Sequence, residues 1–146
     1  MHTILYSSQY TGDEHSIDSD LLSICHSSKR NNPVKNITGV LFYHQRNFLQ
    51  AIEGEQSDLE KLMSVLEKDS RHCNIRRVFD EKILEKSFSQ WNMDVFNIDD
   101  NQSIDYEKII DFKNIYNNVL THIEAQLFIE SLKEFLADPK LRSVYS

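Results

Sequence analysis

The chain has 146 residues, 40% apolar and 27% charged, with a formal net charge of −7. That is room for one domain with its own core, and the acidity excludes a binder of nucleic-acid backbones, which needs clustered Lys and Arg. The two cysteines, Cys25 and Cys73, stand in unlike contexts with no CxxC pair and no metal-ligand pattern, so they read as reduced structural thiols of a cytoplasmic protein. No run approaches the ~18 apolar residues that span a membrane, and MHTILYSSQY at the N-terminus has neither a basic leader nor a long apolar stretch.

Residues 3–8 alternate in part and read as a strand with Ile4 and Tyr6 on one face. From 17 to 30 the apolar positions Ile17, Leu21, Ile24 and Cys25 follow helical spacing, with Ser28 on the same side. Asn31-Asn32-Pro33 stops that helix, because a residue before proline disfavours the helical region. Two runs rich in β-branched and aromatic residues follow, 37–43 and 48–52, joined by His44-Gln45-Arg46-Asn47, which is the pattern of a hairpin. After Gly54, Ser57-Asp58-Leu59-Glu60 has the form of a capping box for a second helix striped by Leu59, Leu62, Met63 and Leu66. Asp69 to His72 forms a polar corner, then 75–83 and 91–98 read as two more strands.

The order β-α-β-β-α-β-β predicts an α+β fold, ferredoxin-like, with two helices on one face of a mixed sheet and one strand added. Beyond Asp99 the periodicity is purely helical, and a second capping box at Thr121-His122-Ile123-Glu124 divides the region into a helical pair. The predicted organisation is therefore a domain over 1–98 and a two-helix extension over 99–146 that packs on the sheet.

Gln50 lies between Leu49 and Ala51 in a short run that reads as buried. A buried carboxamide left without hydrogen-bond partners costs about 1–3 kcal/mol, which points to a polar ligand. With Tyr6, Gln50 and Met93 on three strands of one sheet, their side chains converge under the helices, and Asn32 comes over the same face. A planar heterocycle between the helices, with a carbonyl at Asn32 and a ring nitrogen near Gln50, satisfies both amides. Taken singly, each of these residues is more often a core or surface residue. No nucleophile–histidine–acid set, carboxylate pair or phosphate-cradling glycine motif is present.

As a set, Leu5-Tyr6-Ser7-Ser8, Arg30-Asn31-Asn32, Ile37-Thr38-Gly39-Val40-Leu41, Phe48-Leu49-Gln50, Glu53-Gly54, Asp69-Ser70-Arg71-His72 and Trp91-Asn92-Met93 resemble the BLUF family, sensors of blue light using FAD. The pieces are individually unspecific; their joint order and spacing over about 3–98 carry the resemblance. It implies that Tyr6 gives an electron and a proton to the photoexcited flavin and that Gln50 rearranges its hydrogen bonds between them. It further implies that Asn32 holds the ring carbonyl edge and that Ile24 and Leu66 clamp the ring. Ser28, Arg30, Asn31, Arg71 and His72 are the candidates for the ring rim and the phosphate tail, and Trp91 and Met93 for relaying the change into the last strand. Asn36 stands where the family commonly has glycine, and Leu66 where isoleucine is frequent.

The expected function is a non-catalytic photoreceptor of the short type, without a fused output domain. It binds FAD and signals through a homo-oligomer or a separate protein partner, with no nucleic acid, membrane or metal involved. A flavin-dependent redox enzyme and a cofactor-free ferredoxin-like interaction module are the alternatives.

Overall fold

A computed structural model describes residues 1–101 and 120–144. Five strands, β1 (His2–Tyr10), β2 (Thr38–His44), β3 (Asn47–Gly54), β4 (His72–Lys82) and β5 (Asn92–Asn97), form one sheet in the order β4-β1-β3-β2-β5. β1 runs antiparallel to β3 and β4, β2 antiparallel to β3, and β5 joins the far edge parallel to β2. The β2–β3 turn is Gln45-Arg46, both at positive φ (45° and 70°), as a two-residue type I′ hairpin requires. Asn36, in the place of the expected glycine, also takes a left-handed φ of 54° and ends the 3-10 turn Pro33–Lys35. Asparagine tolerates that region better than other non-glycine residues, so the substitution keeps the turn.

Alternation along the strands, broken only at bulges, divides two layers. Helices α1 (Ile17–Asn31) and α2 (Gln56–Glu67) cover one face. There, Leu21 and Cys25 pack with Leu41, Phe48 and Val95, and Leu59 and Met63 pack with Ile4, Tyr6, Ile52 and Met93. The intervening residues, Leu5, Phe42, Leu49, Ala51 and Phe96, point the other way and meet Phe128, Leu132 and Phe135 of α3 (His122–Leu136). Burying a side chain of this size contributes about 1.5–3 kcal/mol, so each face is secured by several independent contributions. This is the ferredoxin-like arrangement with an added strand that the sequence predicts.

Two details differ from expectation. α2 begins at Gln56 with Glu55 as its N-cap and no side-chain cap bond, so Ser57 to Glu60 lie inside the helix. β3 runs directly into the helix through Gly54, and the Leu59 N–H closes the first turn on the Glu55 carbonyl at 3.0 Å, which leaves Ser57 no place outside. β4 starts at His72, earlier than residue 75, because the long β1 offers Tyr10 as a partner for His72. The capping box at Thr121 forms as expected, with Glu124 N–H donating to Thr121 Oγ1 and Thr121 N–H to Glu124 Oε1, both at 3.2 Å. The first helix expected of the C-terminal pair lies outside the described residues.

Candidate functional site

Tyr6 and Gln50 are direct partners in the β1–β3 ladder, and both face α1 and α2. The Tyr6 hydroxyl donates to Gln50 Oε1, and Gln50 Nε2 donates to Met93 Sδ at 2.9 Å. All three are buried, with relative exposures of 2%, 4% and 0%. One carboxamide thus links β1 to β5 across β3 and β2. Burial, and next the negative charge of Asp69, push the Tyr6 pKa well above its ordinary value, so the phenol keeps its proton.

Met93 reaches Gln50 by a backbone irregularity. Between Gly39↔Asn92 and Val40↔Asp94 the β2–β5 register slips, leaving Met93 as the extra residue of a bulge with φ 56°. Simple alternation would put residues 91 and 93 on one face. The bulge instead sends Met93 under α2 and leaves Trp91 against the opposite layer, edge-on to Phe88 at 6.3 Å.

Above this floor lies a cavity of about 260 Å³ between α1 and α2. It is lined by Tyr6, Ile24, Ser28, Asn31, Asn32, Gln50, Leu66, Arg71 and His72, all expected from the sequence. Arg30 is exposed and does not line it, and Trp91 lies on the other side of the sheet. Ser27, Leu41, Phe48, Leu62, Val65 and Asp69 complete the wall. The strand pattern places two of these on the same face: Phe48 precedes Gln50 by two residues on β3, and Leu41 is the ladder partner of Gln50.

The polar rim is held in place from below. His72 Nε2 sits 2.5 Å from the Leu66 carbonyl, which only accepts, so that nitrogen carries a proton; Nδ1 lies 2.8 Å from Ser8 Oγ. The ring is edge-on to both Tyr6 and Phe48. Arg71 Nε donates to Asp69 Oδ1 at 2.9 Å and its Nη2 to Asp69 Oδ2 at 2.5 Å, a two-pronged pair. That guanidinium holds the Asp69 carboxyl below the usual carboxylate range. Asn32 caps α1, is 4% exposed, and lines the cavity. An amide at a cavity wall, with a donor and an acceptor to offer, fits a ligand that presents a carbonyl and an N–H, as a flavin ring edge does.

A family model described as "BLUF: Sensors of blue-light using FAD" matches residues 1–94. The chain belongs to the BLUF family. It is a blue-light sensor that binds a flavin, and neither the redox-enzyme reading nor the cofactor-free module is favoured. Among solved structures, it is 28% identical to the photo-activated state of BlsA, with a TM-score of 0.74 over 91% of this chain and 95% of that one. BlrB, described as a BLUF protein in its dark state, shares the fold at 21% identity and a TM-score of 0.74, covering 92% of this chain and 96% of that one. A bacterial light-regulated adenylyl cyclase is 30% identical with a TM-score of 0.69; the match covers 78% of this chain and 32% of the cyclase. A search of curated proteins finds no match. Among the described residues, no helix is long and apolar enough to cross a membrane.

Proposed function

We propose that the cavity between α1 and α2 takes the isoalloxazine ring of FAD and that Tyr6 and Gln50 carry out its photochemistry. The hydrogen-bonded line from Tyr6 and Gln50, which line the cavity, to the buried Met93 is the observation that carries this reading. Asn32 meets the ring carbonyl edge, Ile24 and Leu66 hold the two faces, and Ser28 and Asn31 lie along the rim. Arg71 and His72, with Arg30 from the exposed end of α1, stand toward the ribityl-phosphate side. The flavin, when excited by blue light, supplies a one-electron oxidant.

Everything else is done by the chain. A protonated phenol becomes a strong acid on losing an electron, so Tyr6 must release its proton as it is oxidised. Gln50 Oε1 is the base within reach. A carboxamide offers both a donor and an acceptor, so it can pass the proton on and be left in another orientation or tautomer after the electron returns. Gln50 turned about its amide no longer offers an N–H to Met93 Sδ. One exchanged hydrogen bond is worth about 0.5–1.5 kcal/mol, and two or three together bias a two-state element roughly tenfold or more. The biased element is the start of β5, with Met93 on one face and Trp91 on the other.

The output is read through association, with residues 1–98 as the sensing domain and 99–146 as the extension that presents the change. Support comes from a groove of about 660 Å³ between the end of β4 and α3, where Leu84, Ile123 and Leu127 are 96%, 69% and 66% exposed. Exposed apolar residues gathered at one groove suit a second copy or a separate protein partner. The test is a visible spectrum of the FAD-loaded protein in the dark and under blue light, alongside Tyr6→Phe. A reversible red shift, absent from the variant, is expected. A flavin spectrum unchanged by light would overturn the proposal.

A further inference from the structure

Gln50 and Met93 meet on the helix-covered face, and a buried carboxylate of the same strand β3 lies on the opposite one. Glu53 follows Gln50 by three residues on β3 and therefore points to the α3 side, between Thr3 and Thr38 in the ladder. It is 1% exposed, the only carboxylate among the buried polar side chains of the described residues. Its two oxygens are used separately: Ser87 N–H donates to Oε2 and Phe88 N–H to Oε1, both at 2.7 Å. Ser87 and Phe88 belong to the connection between β4 and β5, and Phe88 is itself fully buried.

From that clamp the chain has few residues in which to reach β5. The Trp91 N–H donates to the Phe88 carbonyl at 3.0 Å, and the Trp91 carbonyl accepts from Gly39 N–H at 2.8 Å. Lys86 Nζ donates to the Asn36 carbonyl at 2.6 Å, which ties the same connection to the entry of β2. The bulge at Met93 begins two residues after Trp91. Its left-handed φ is uncommon for a side chain of this kind and persists only where the surroundings enforce it. Gly39 lies opposite this point, and its approach to β3 is so close that a Cβ would sit 2.0 Å from the Ala51 carbonyl oxygen.

We propose that Glu53 is a positioning residue for the light response: by clamping Ser87 and Phe88 it sets where β5 begins and so holds the bulge that places Met93 on Gln50 and Trp91 on the α3 face. This rests on the reading of Gln50 and Met93 given above, but the clamp itself makes predictions in the flavin-free chain. Glutamine in place of Glu53 keeps the size and one acceptor and turns an amide N–H toward a backbone N–H. One of the two anchors is then lost, and the bulge has a competing arrangement.

The test uses the full chain without flavin first. Trp91 is its single tryptophan, so fluorescence reports on this segment alone. Glu53→Gln is expected to raise acrylamide quenching of Trp91 about twofold and to speed amide exchange at Ser87 and Phe88 at least tenfold, leaving Ile4 and Ile52 unchanged. In the parent, the Ser87 and Phe88 amides should be as protected as those two strand residues. Should Glu53→Gln fail to fold, that protection in the parent still decides the matter: exchange at the rate of an open loop overturns the clamp. In the FAD-loaded protein, the variant should keep a Tyr6-dependent red shift and recover in the dark at least threefold faster or slower than the parent. Unchanged quenching, exchange and recovery in a folded variant would sink the assignment even if the parent responds to light. A parent with the clamp but no red shift would instead sink the photochemical reading.

Discussion

Replacing Gln50 by leucine in the flavin-free chain isolates the pair on which the site is built. Tyr6 is 2% exposed, and its hydroxyl donates to Gln50 Oε1. Leucine fills similar space but leaves that hydroxyl without its acceptor, a loss of about 1–3 kcal/mol. The second bond of Gln50, to Met93 Sδ, has a weak acceptor and adds little. Tyr6→Phe alone removes the donor and leaves Gln50 Oε1 facing a cavity that can hydrate it, so its cost sits near the lower end, at about 0.5–1.5 kcal/mol. Removing both partners together leaves no orphaned group, so the double variant should lose no more than about the larger single loss. The expected coupling is therefore about 1 kcal/mol, read as non-additive urea midpoints; at roughly 1–3 kcal/mol per molar for a small protein, the Gln50→Leu shift should be about 1 M. Single losses that add to within about 0.3 kcal/mol would refute the buried Tyr6–Gln50 pair.

Gly39→Ala should lower stability by about 1–3 kcal/mol, because the new Cβ meets the Ala51 carbonyl oxygen at 2.0 Å and must displace a backbone rather than a side chain. Thermal unfolding checks this, and an unchanged midpoint would mean that β2 and β3 do not approach so closely. The Arg71 bond lowers the Asp69 pKa, so its stabilisation is fully present above the ordinary carboxylate value of 3.8 and is lost as pH falls through the lower, folded value. Arg71→Gln should therefore reduce stability at neutral pH and make the fall below about pH 4 shallower than in the parent. Parallel acid limbs for the two proteins would contradict the pairing. If the groove beside α3 serves association, Leu127→Glu should remove any light-dependent change in sedimentation while leaving the dark spectrum intact; a change that survives places the contact elsewhere.

The hydrophobic patterning and turn residues carried most of the fold. Leu21 and Cys25 on α1, Leu59 and Met63 on α2, and the alternation around Gln50 on β3 were readable because period and burial agree there. Of the residues that line the cavity, Tyr6, Asn32 and Gln50 follow from the pattern, whereas Ile24, Ser28, Asn31, Leu66, Arg71 and His72 follow only from the family resemblance. Trp91 and Met93 were not separable from sequence, since alternation puts them on one face and only a bulge of one residue parts them. Nothing in the composition of Trp91-Asn92-Met93 signals that bulge: neither glycine nor asparagine occupies the left-handed position. The start of α2 is not legible in the sequence, because Ser57 and Glu60 have the spacing of a capping box while the tight exit from β3 places the helix start ahead of them. Glu53 was legible only as part of a motif, because its partners are backbone N–H groups of a connection with no pattern of its own.

The most direct measurement of the central claim is the light-minus-dark infrared spectrum of the FAD-loaded protein, recorded with and without isotope-labelled glutamine side chains. If light exchanges the hydrogen bonds of Gln50, a carboxamide band should shift with the label and vanish in both Gln50→Leu and Tyr6→Phe. A flavin response with no label-sensitive glutamine band, or one that survives in Gln50→Leu, would contradict the account.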